Sequence, residues 1–376
     1  MNFSDIPYHE NAKERMRRMV TSGHLPHAIL IEGPQGTGKF AMARAFARYI
    51  HCSDPDPNGD ACGICQSCRL HDAMNHIDLC HVFPVVKLDG MNSAPVSDDF
   101  YSEWIEFIGN HKYMDINAWA ATFPKKNAQP QIYVTESASI LHKLAFTSHI
   151  SRYKIVLWWL PERMNEETAN KLLKIIEEPF ENTIFIMVSD NPKEILPTIY
   201  SRVQRIELKR LPDDVVAAGL MESHPDLSSA DAMALAHIAS GSMIEAEKNV
   251  AFSGEQQKFL DLFMQLMRLA YQRKIKDLRV WANTLADMGR EQQMRFYDYT
   301  MRMVRENFVL NFHVPQLSYL NTAEAGFSSK FSPYINVGNV ERLMNVFNDA
   351  RRDISANGNG KIVNLDVAVK VILLLK

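Results

Sequence analysis

The chain of 376 residues contains no hydrophobic run of the roughly 18–20 uncharged residues that a membrane helix requires. Its first residues, Met1-Asn2-Phe3-Ser4-Asp5, lack the basic-then-apolar pattern of a secretory signal, so a cytoplasmic location away from membranes is the expectation. Net charge is scarce as well. A balance of 41 Lys and Arg against 44 Asp and Glu leaves −3, which excludes a globally basic nucleic-acid binder while leaving room for local phosphate contacts. Cysteine is limited to five residues, and an odd number in such a chain argues against a disulfide framework. There is no internal repeat and no low-complexity tract. What is there is an ordinary 46% of hydrophobic residues over a length that suggests two or three domains.

Two further absences sit inside a site that is otherwise well formed. Gly33-Pro34-Gln35-Gly36-Thr37-Gly38-Lys39 fits the phosphate-cradling pattern G-x-x-x-x-G-K-[ST] up to its last position. The apolar run His27–Glu32 before it reads as a buried strand and Phe40–Ile50 after it as a helix, the context that a phosphate loop needs. Glycines at 33, 36 and 38 let backbone N–H groups face phosphate oxygens, and Lys39 reaches the outer phosphates. The next position asks for a hydroxyl to ligate Mg²⁺, and Phe40 stands there. The strand Tyr153–Leu160 should end in acidic residues, yet its tip is Trp159 and Leu160, with Glu162 set apart by Pro161. Without the metal and a positioned base, phosphoryl transfer loses its main electrostatic stabilisation. The loop therefore holds a nucleotide (ATP or ADP) or phosphate without efficient hydrolysis, or serves as a glycine turn with no ligand.

Four of the cysteines, Cys52, Cys62, Cys65 and Cys68, cluster within seventeen residues, with a Pro/Gly-rich spacer that can loop the first ligand back. Four sulfurs in tetrahedral arrangement make a closed structural zinc site. An iron–sulfur cluster and four unlinked buried thiols are the alternatives. Beyond it, residues 85–130 read as an elaboration with one helix over Asp99–Gly109. Ile132–Val134 reads as a strand, Ser137–Ile150 as a helix, Asn165–Glu178 as a helix capped by its Asn, and Thr183–Val188 as a buried strand. Strands alternating with helices imply a parallel sheet covered on both faces. After Pro212 the strand signal ends. Asp213–Val250 reads as short helices, followed by amphipathic helices at Gln256–Gln272, Lys276–Met288, Glu291–Phe312, Val340–Ser355 and Asn364–Leu375, with a loop over Asn321–Pro333.

These pieces together resemble the clamp-loader subunits of bacterial DNA polymerase III, a branch of the AAA+ proteins. Asn170-Lys171-Leu172-Leu173-Lys174-Ile175-Ile176-Glu177-Glu178-Pro179 is similar to the family's N-x-L-L-K-x-x-E-E-P helix, and Arg163-Met164 before it also fits. Ser201-Arg202-Val203 resembles the family's S-R-C motif with valine for cysteine, and the four-cysteine module after the phosphate-loop helix is typical of the branch. The matches are strong over about 20–80 and 150–210, looser over the tail from Lys361, and silent over 85–130.

The resemblance implies an α/β AAA+ domain (1–211) with a zinc insert at about 52–68, an all-α lid (212–252) and an all-α collar for oligomerisation (253–376). Departures at Phe40, Trp159 and Leu160, and at Ile244 where the ATPase type has arginine, favour the delta-prime type. That type implies a non-hydrolysing scaffold supplying Arg202 in trans to a neighbour's ATP, with gamma/tau and delta subunits as partners. The sliding clamp and primer–template DNA would be reached through the complex. A gamma/tau-like motor ATPase and an AAA+-derived adaptor outside replication are the alternatives. For Arg202 itself, a salt-bridged surface arginine is the alternative. Trp158 and Trp159 suggest core and interface before a base-stacking platform. Arg15, Arg17 and Arg18 suggest a solvated face before DNA contacts. Ser189 and Asn191 fall where the family's sensor residues lie.

Overall fold

The structure, a computed structural model, describes residues 1–125, 128–251, 253–312 and 319–375. Residues 126 and 127 of the expected 85–130 elaboration lie outside these, as do residue 252 at the expected lid–collar boundary and residue 376 at the end of the expected collar. The described residues divide into two compact units, Met1–Gly219 with Ala239–Glu245, and Leu220–Ile238 with Ala246–Lys376.

In the first unit β1 (Ala28–Glu32), β2 (Leu79–Val82), β3 (Lys154–Trp159), β4 (Thr183–Ser189) and β5 (Gln204–Glu207) form one parallel sheet in the order β2-β3-β4-β1-β5. Every residue of β1, β3 and β4 is buried, because helices cover both faces. The period-two alternation of a strand sorts their side chains. Ile29, Ile31, Ile155, Leu157, Trp159, Ile186 and Val188 face one core with Phe46 of a helix following β1. Leu30, Val156, Trp158, Phe185 and Met187 face the other, with Leu172 and Ile176. The helices of this unit are α1 (Glu10–Thr21), α2 (Lys39–His51), α3 (Gln66–Asp72), α4 (Tyr101–Asn110), α5 (Ile116–Ala121), α6 (Thr135–Leu144), α7 (Glu166–Glu177) and α8 (Pro197–Tyr200). Asn165 caps α7 as its sequence suggests, its side chain accepting the Thr168 N–H at 2.8 Å.

Several elements differ from expectation. Ile132–Val134 is no strand. Only isolated bridges form, Gln131 with Val85 and Ile132 with Met164, before the chain turns into α6. That helix ends at Leu144 rather than 150, because the Asp78 carboxylate takes the N–H groups of His149, Ile150 and Ser151 at 2.8–2.9 Å and holds them out of a helix. The elaboration leaves the sheet at Val85 and returns at Gln131 through that one antiparallel bridge, carrying α4 and α5 between. Asn321–Pro333 is mostly helix, Thr322–Phe331, started by a capping box in which Asn321 accepts from the Glu324 N–H and Glu324 from the Asn321 N–H.

The second unit is helical throughout its described residues, with long helices at Ser253–Tyr271, Ile275–Ala286, Arg290–Leu310, Val340–Ser355 and Gly360–Leu374. They bury Phe263, Trp281, Phe296, Tyr297, Phe347 and Val371 together. Within this apolar core Asn364 is fully buried. It accepts from the Tyr297 hydroxyl at 2.6 Å and donates to the Ala282 carbonyl at 3.2 Å and to Gln293 Oε1 at 3.1 Å. Asn364→Ala strands those partners in the core. We expect it to lower unfolding stability by about 1–3 kcal/mol, measured from the urea midpoint at unchanged slope.

Candidate nucleotide site and metal centre

The phosphate loop joins β1 to α2 as expected. Gly36 and Gly38 take φ of 77° and 84°, the left-handed region that glycine enters without a steric cost. Gly33 passes so near β5 that a Cβ there would sit 2.3 Å from the Leu208 carbonyl oxygen. The loop's polar groups are tied to the protein itself. Thr37 is buried and donates its hydroxyl to the Pro34 carbonyl at 2.9 Å. Its own carbonyl accepts from His9 Nε2 at 3.0 Å. Lys39 is only 4% exposed, donates to the Pro34 carbonyl at 2.5 Å and pairs with Asp190 at 2.7 Å. On another side the Gly36 carbonyl accepts the Met243 N–H at 3.0 Å, and a Cβ on Gly36 would meet Ser242 Oγ at 2.3 Å. Gln35 donates its amide to Asp115 at 3.3 Å.

The magnesium half of the site is apolar. Phe40 is buried edge-on against Trp104, with ring centroids 5.5 Å apart at 80°, and against Trp159 at 6.4 Å and 65°. Trp104 in turn stacks on Phe83 at 4.1 Å and 8°. Leu160 is buried at the strand tip with φ 56°. Glu162 turns to the backbone, accepting the N–H groups of Asp190 and Asn191 at 2.8 and 3.0 Å, and burial pushes its carboxyl up from the usual range. Ser189 Oγ is buried without a hydrogen-bond partner, and Asn191 bonds Glu194. Trp158 and Trp159 are both at most 1% exposed, so neither offers a stacking face. Asp190, His9, Tyr113 and Asp115 reach the loop from distant parts of the chain, and no local pattern announces them.

Cys52, Cys62, Cys65 and Cys68 come together with their sulfurs all within 4.8 Å of one another. The backbone N–H groups of Cys62, Cys65 and Cys68 donate to the sulfurs of Cys52, Cys62 and Cys65 at 3.3–3.4 Å. Burial pushes the Cys52 thiol up to about 12. For Cys65 burial acts the same way, but hydrogen bonds from Ser53 and Cys68 outweigh it and bring the thiol down to about 6. Arg48, buried in the last turn of α2, forms a two-pronged pair with Asp72 at 2.6 and 2.9 Å. Four converging sulfurs, N–H donors aimed at them and a buried guanidinium make a donor set that fits a thiolate-bound metal.

A second group, His51, His71 and His76, lies beside it. Five of its six ring nitrogens are taken up internally. His51 Nε2 donates to the Tyr153 carbonyl at 3.0 Å, so its Nδ1 accepts from His71 Nε2 at 3.0 Å. His76 Nδ1 accepts from the Asp78 N–H, and its Nε2 bonds Ser67 at 2.6 Å. Burial pushes His51 down to about 3 and His71 to about 2, and the rings of His51 and His76 stack at 4.3 Å.

Arg202 follows α8 on the surface, 41% exposed, paired with Glu177 at 2.5 Å and donating to the Thr198 carbonyl at 2.8 Å. Of the N-terminal arginines, Arg17 donates to the Gly59 carbonyl at 2.7 Å, Arg18 pairs with Glu14 and Arg15 is exposed.

Fold, loop and cysteine centre define a phosphate-loop α/β protein extended by a helical unit. The family described as DNA polymerase III, delta subunit, matches residues 8–212, more than half of the chain, and the chain belongs to that family. It is similar to the delta-prime subunit of DNA polymerase III from Haemophilus influenzae, 30% identical over 202 residues that make up 54% of this chain and 47% of that protein. The delta-prime subunit of Bacillus subtilis is 26% identical over 246 residues, 65% of this chain and 60% of that protein. The gamma/tau subunit of Mycobacterium tuberculosis is 26% identical over 219 residues, 58% of this chain and 30% of that protein. The chain thus spans about half the length of the delta-prime relatives and less than a third of gamma/tau. Family and relatives together mark a clamp-loader subunit of the delta-prime type.

Because Phe40 is a packed core residue, Phe40→Ala is expected to cost about 3–5 kcal/mol in chemical denaturation. Phe40→Thr, which restores the hydroxyl of the phosphate-loop pattern, is expected to gain no ATP turnover in a malachite-green assay.

Proposed function

We propose that the chain is a scaffold of the clamp loader that hydrolyses no ATP itself and supplies Arg202 to the ATP of an adjacent gamma/tau subunit. On this reading residues 1–211, 212–252 and 253–376 act as AAA+ domain, lid and collar. Gamma/tau and delta subunits are the direct partners, and the sliding clamp and primer–template DNA are reached through the complex. The observation that carries the reading is the burial of Phe40 and Trp159 in one aromatic cluster where Mg²⁺ ligands belong. A gamma/tau-like motor needs oxygen ligands at those two positions. Arg202 supports the reading by its exposure and by the weakness of what holds it. A surface ion pair such as that with Glu177 contributes about 0–1 kcal/mol. A fixed, always charged guanidinium on a neighbour's γ-phosphate contributes about 10³–10⁵ in rate.

The test is Arg202→Ala in a loader assembled with the motor subunits, clamp and primed DNA. ATP turnover should fall by about 10³-fold or more while the complex still forms. Unchanged turnover in an intact complex would refute the arginine's role.

The four-cysteine centre is read as structural zinc, closed and without catalytic function. About one zinc per purified chain is expected by atomic emission, and Cys68→Ser or prolonged chelation should remove it and lower the melting temperature by several degrees. A chain that is metal-free and equally stable would refute that assignment.

A further inference from the structure

The family's loop implies a magnesium nucleotide, and the residues around it do not fit one. Phe40 of α2 and Trp159 of β3 make that mismatch together with the excursion between Val85 and Gln131 that packs against them. Its helix α4 supplies Trp104, which lies against both Phe40 and Trp159. Its helix α5 supplies Trp119, edge-on to Trp104 at 5.4 Å. The two indole N–H groups are satisfied inside the cluster, Trp104 on His81 Nδ1 at 3.1 Å and Trp119 on the Pro84 carbonyl at 2.7 Å. The segment between the two helices runs over the loop. A Cβ on Gly38 would sit 3.6 Å from the Tyr113 ring, and Asp115 takes the Gln35 amide while also capping α5 through the Asn117 N–H at 2.9 Å.

We infer that this insert is the resident occupant of the phosphate-loop site and determines its specificity: it excludes magnesium nucleotide and fixes the loop as a permanent turn. Magnesium demands near-octahedral oxygen ligands, several of them water. Trp104, backed by Trp119, instead packs a dry aromatic wall against Phe40 and Trp159, all four at most 4% exposed. The loop's lysine is meanwhile committed to Asp190 and Pro34. The chain's conformation at this site then needs no nucleotide to set it. The inference rests on the non-hydrolysing reading of the same site. Its test on the isolated chain is separate from the Arg202 test in the assembled loader, so either can fail alone.

Two measurements on the full chain decide it. Titration with a fluorescent ATP or ADP analogue, with and without Mg²⁺, should show no saturable binding up to about 1 mM. Amide hydrogen exchange should show residues 33–39 protected without nucleotide and unchanged by it. The double variant Gln35→Ala with Tyr113→Ala cuts both contacts between insert and loop while keeping the aromatic cluster and the Asp115 cap of α5, and its loop amides should exchange at least about tenfold faster. Saturable binding that Lys39→Ala abolishes would overturn the inference, because the site would then be open. Loop protection unaffected in a folded double variant would overturn it too, because the insert would not be what holds the loop.

Discussion

The packing of Phe40 against Trp104 and Trp159 is the contact on which the α/β unit's character depends. It joins three stretches far apart in sequence: the first turn of α2, the tip of β3 and the insert. Aromatic pairs of this kind contribute about 0.5–1.5 kcal/mol each beyond the area they bury. The same volume cannot also serve a cation. A carboxylate placed at Trp159 would be desolvated among aromatic rings, with its charged form disfavoured. The two departures from the ATPase pattern are therefore one physical change, because restoring either ligand alone sets a polar group into an apolar wall. The lysine that remains is only 4% exposed, and Asp190 pairs with it. Removing Asp190 would leave the buried lysine without its carboxylate, which makes the lysine a structural residue as much as a relic of ligand binding.

The cysteine centre acts on the same helix from its other end. Cys52 directly follows α2, and Arg48 in its last turn pairs with Asp72 of α3, the helix that carries Cys68. The spacer between Cys52 and Cys62 holds the N-terminal segment: Asp60 accepts the N–H groups of Phe3 and Ser4 at 2.8 and 2.9 Å, and Arg17 of α1 donates to Gly59. That places α1 so that His9, at its start, meets the Thr37 carbonyl. The centre has no visible chemistry of its own in this arrangement. Its effect is positional, since α2 is held at the loop by the aromatic cluster and at the far end by the cysteine module.

What the sequence made legible follows from the range of the forces involved. β1, β3 and β4 show as continuous apolar runs because both faces are buried, and the Gly and Cys spacings show because ligand geometry fixes them locally. β2 and β5 are four residues each and owe their pairing to β3 and β1, so Leu79–Val82 and Gln204–Glu207 carry no pattern of their own. The helix Thr322–Phe331 reads as a loop for its Gly and Ser content. Glu324 rescues it by closing the cap with Asn321 while taking the Tyr299 hydroxyl at 2.9 Å. The insert matched no motif, and its part at the loop rests on contacts such as Gln35 to Asp115, eighty positions apart.

Arg202 marks where a single chain stops being sufficient. Its short motif was readable, but on the proposed reading it acts on a neighbour's ligand and so has no complete site in its own fold. Within this chain it does what an exposed arginine does, pairing with the nearest carboxylate, Glu177, on the adjoining helix α7. The contrast with Lys39 is informative. Lys39 belongs to a phosphate motif complete but for its last position and is buried, paired and walled in. Arg202 lies outside that motif and keeps its charge at the surface, opposed only by a weak, salt-screened partner. On the proposed reading, the group that meets phosphate is therefore at the exterior of this subunit, while the lysine of its own loop is closed off inside.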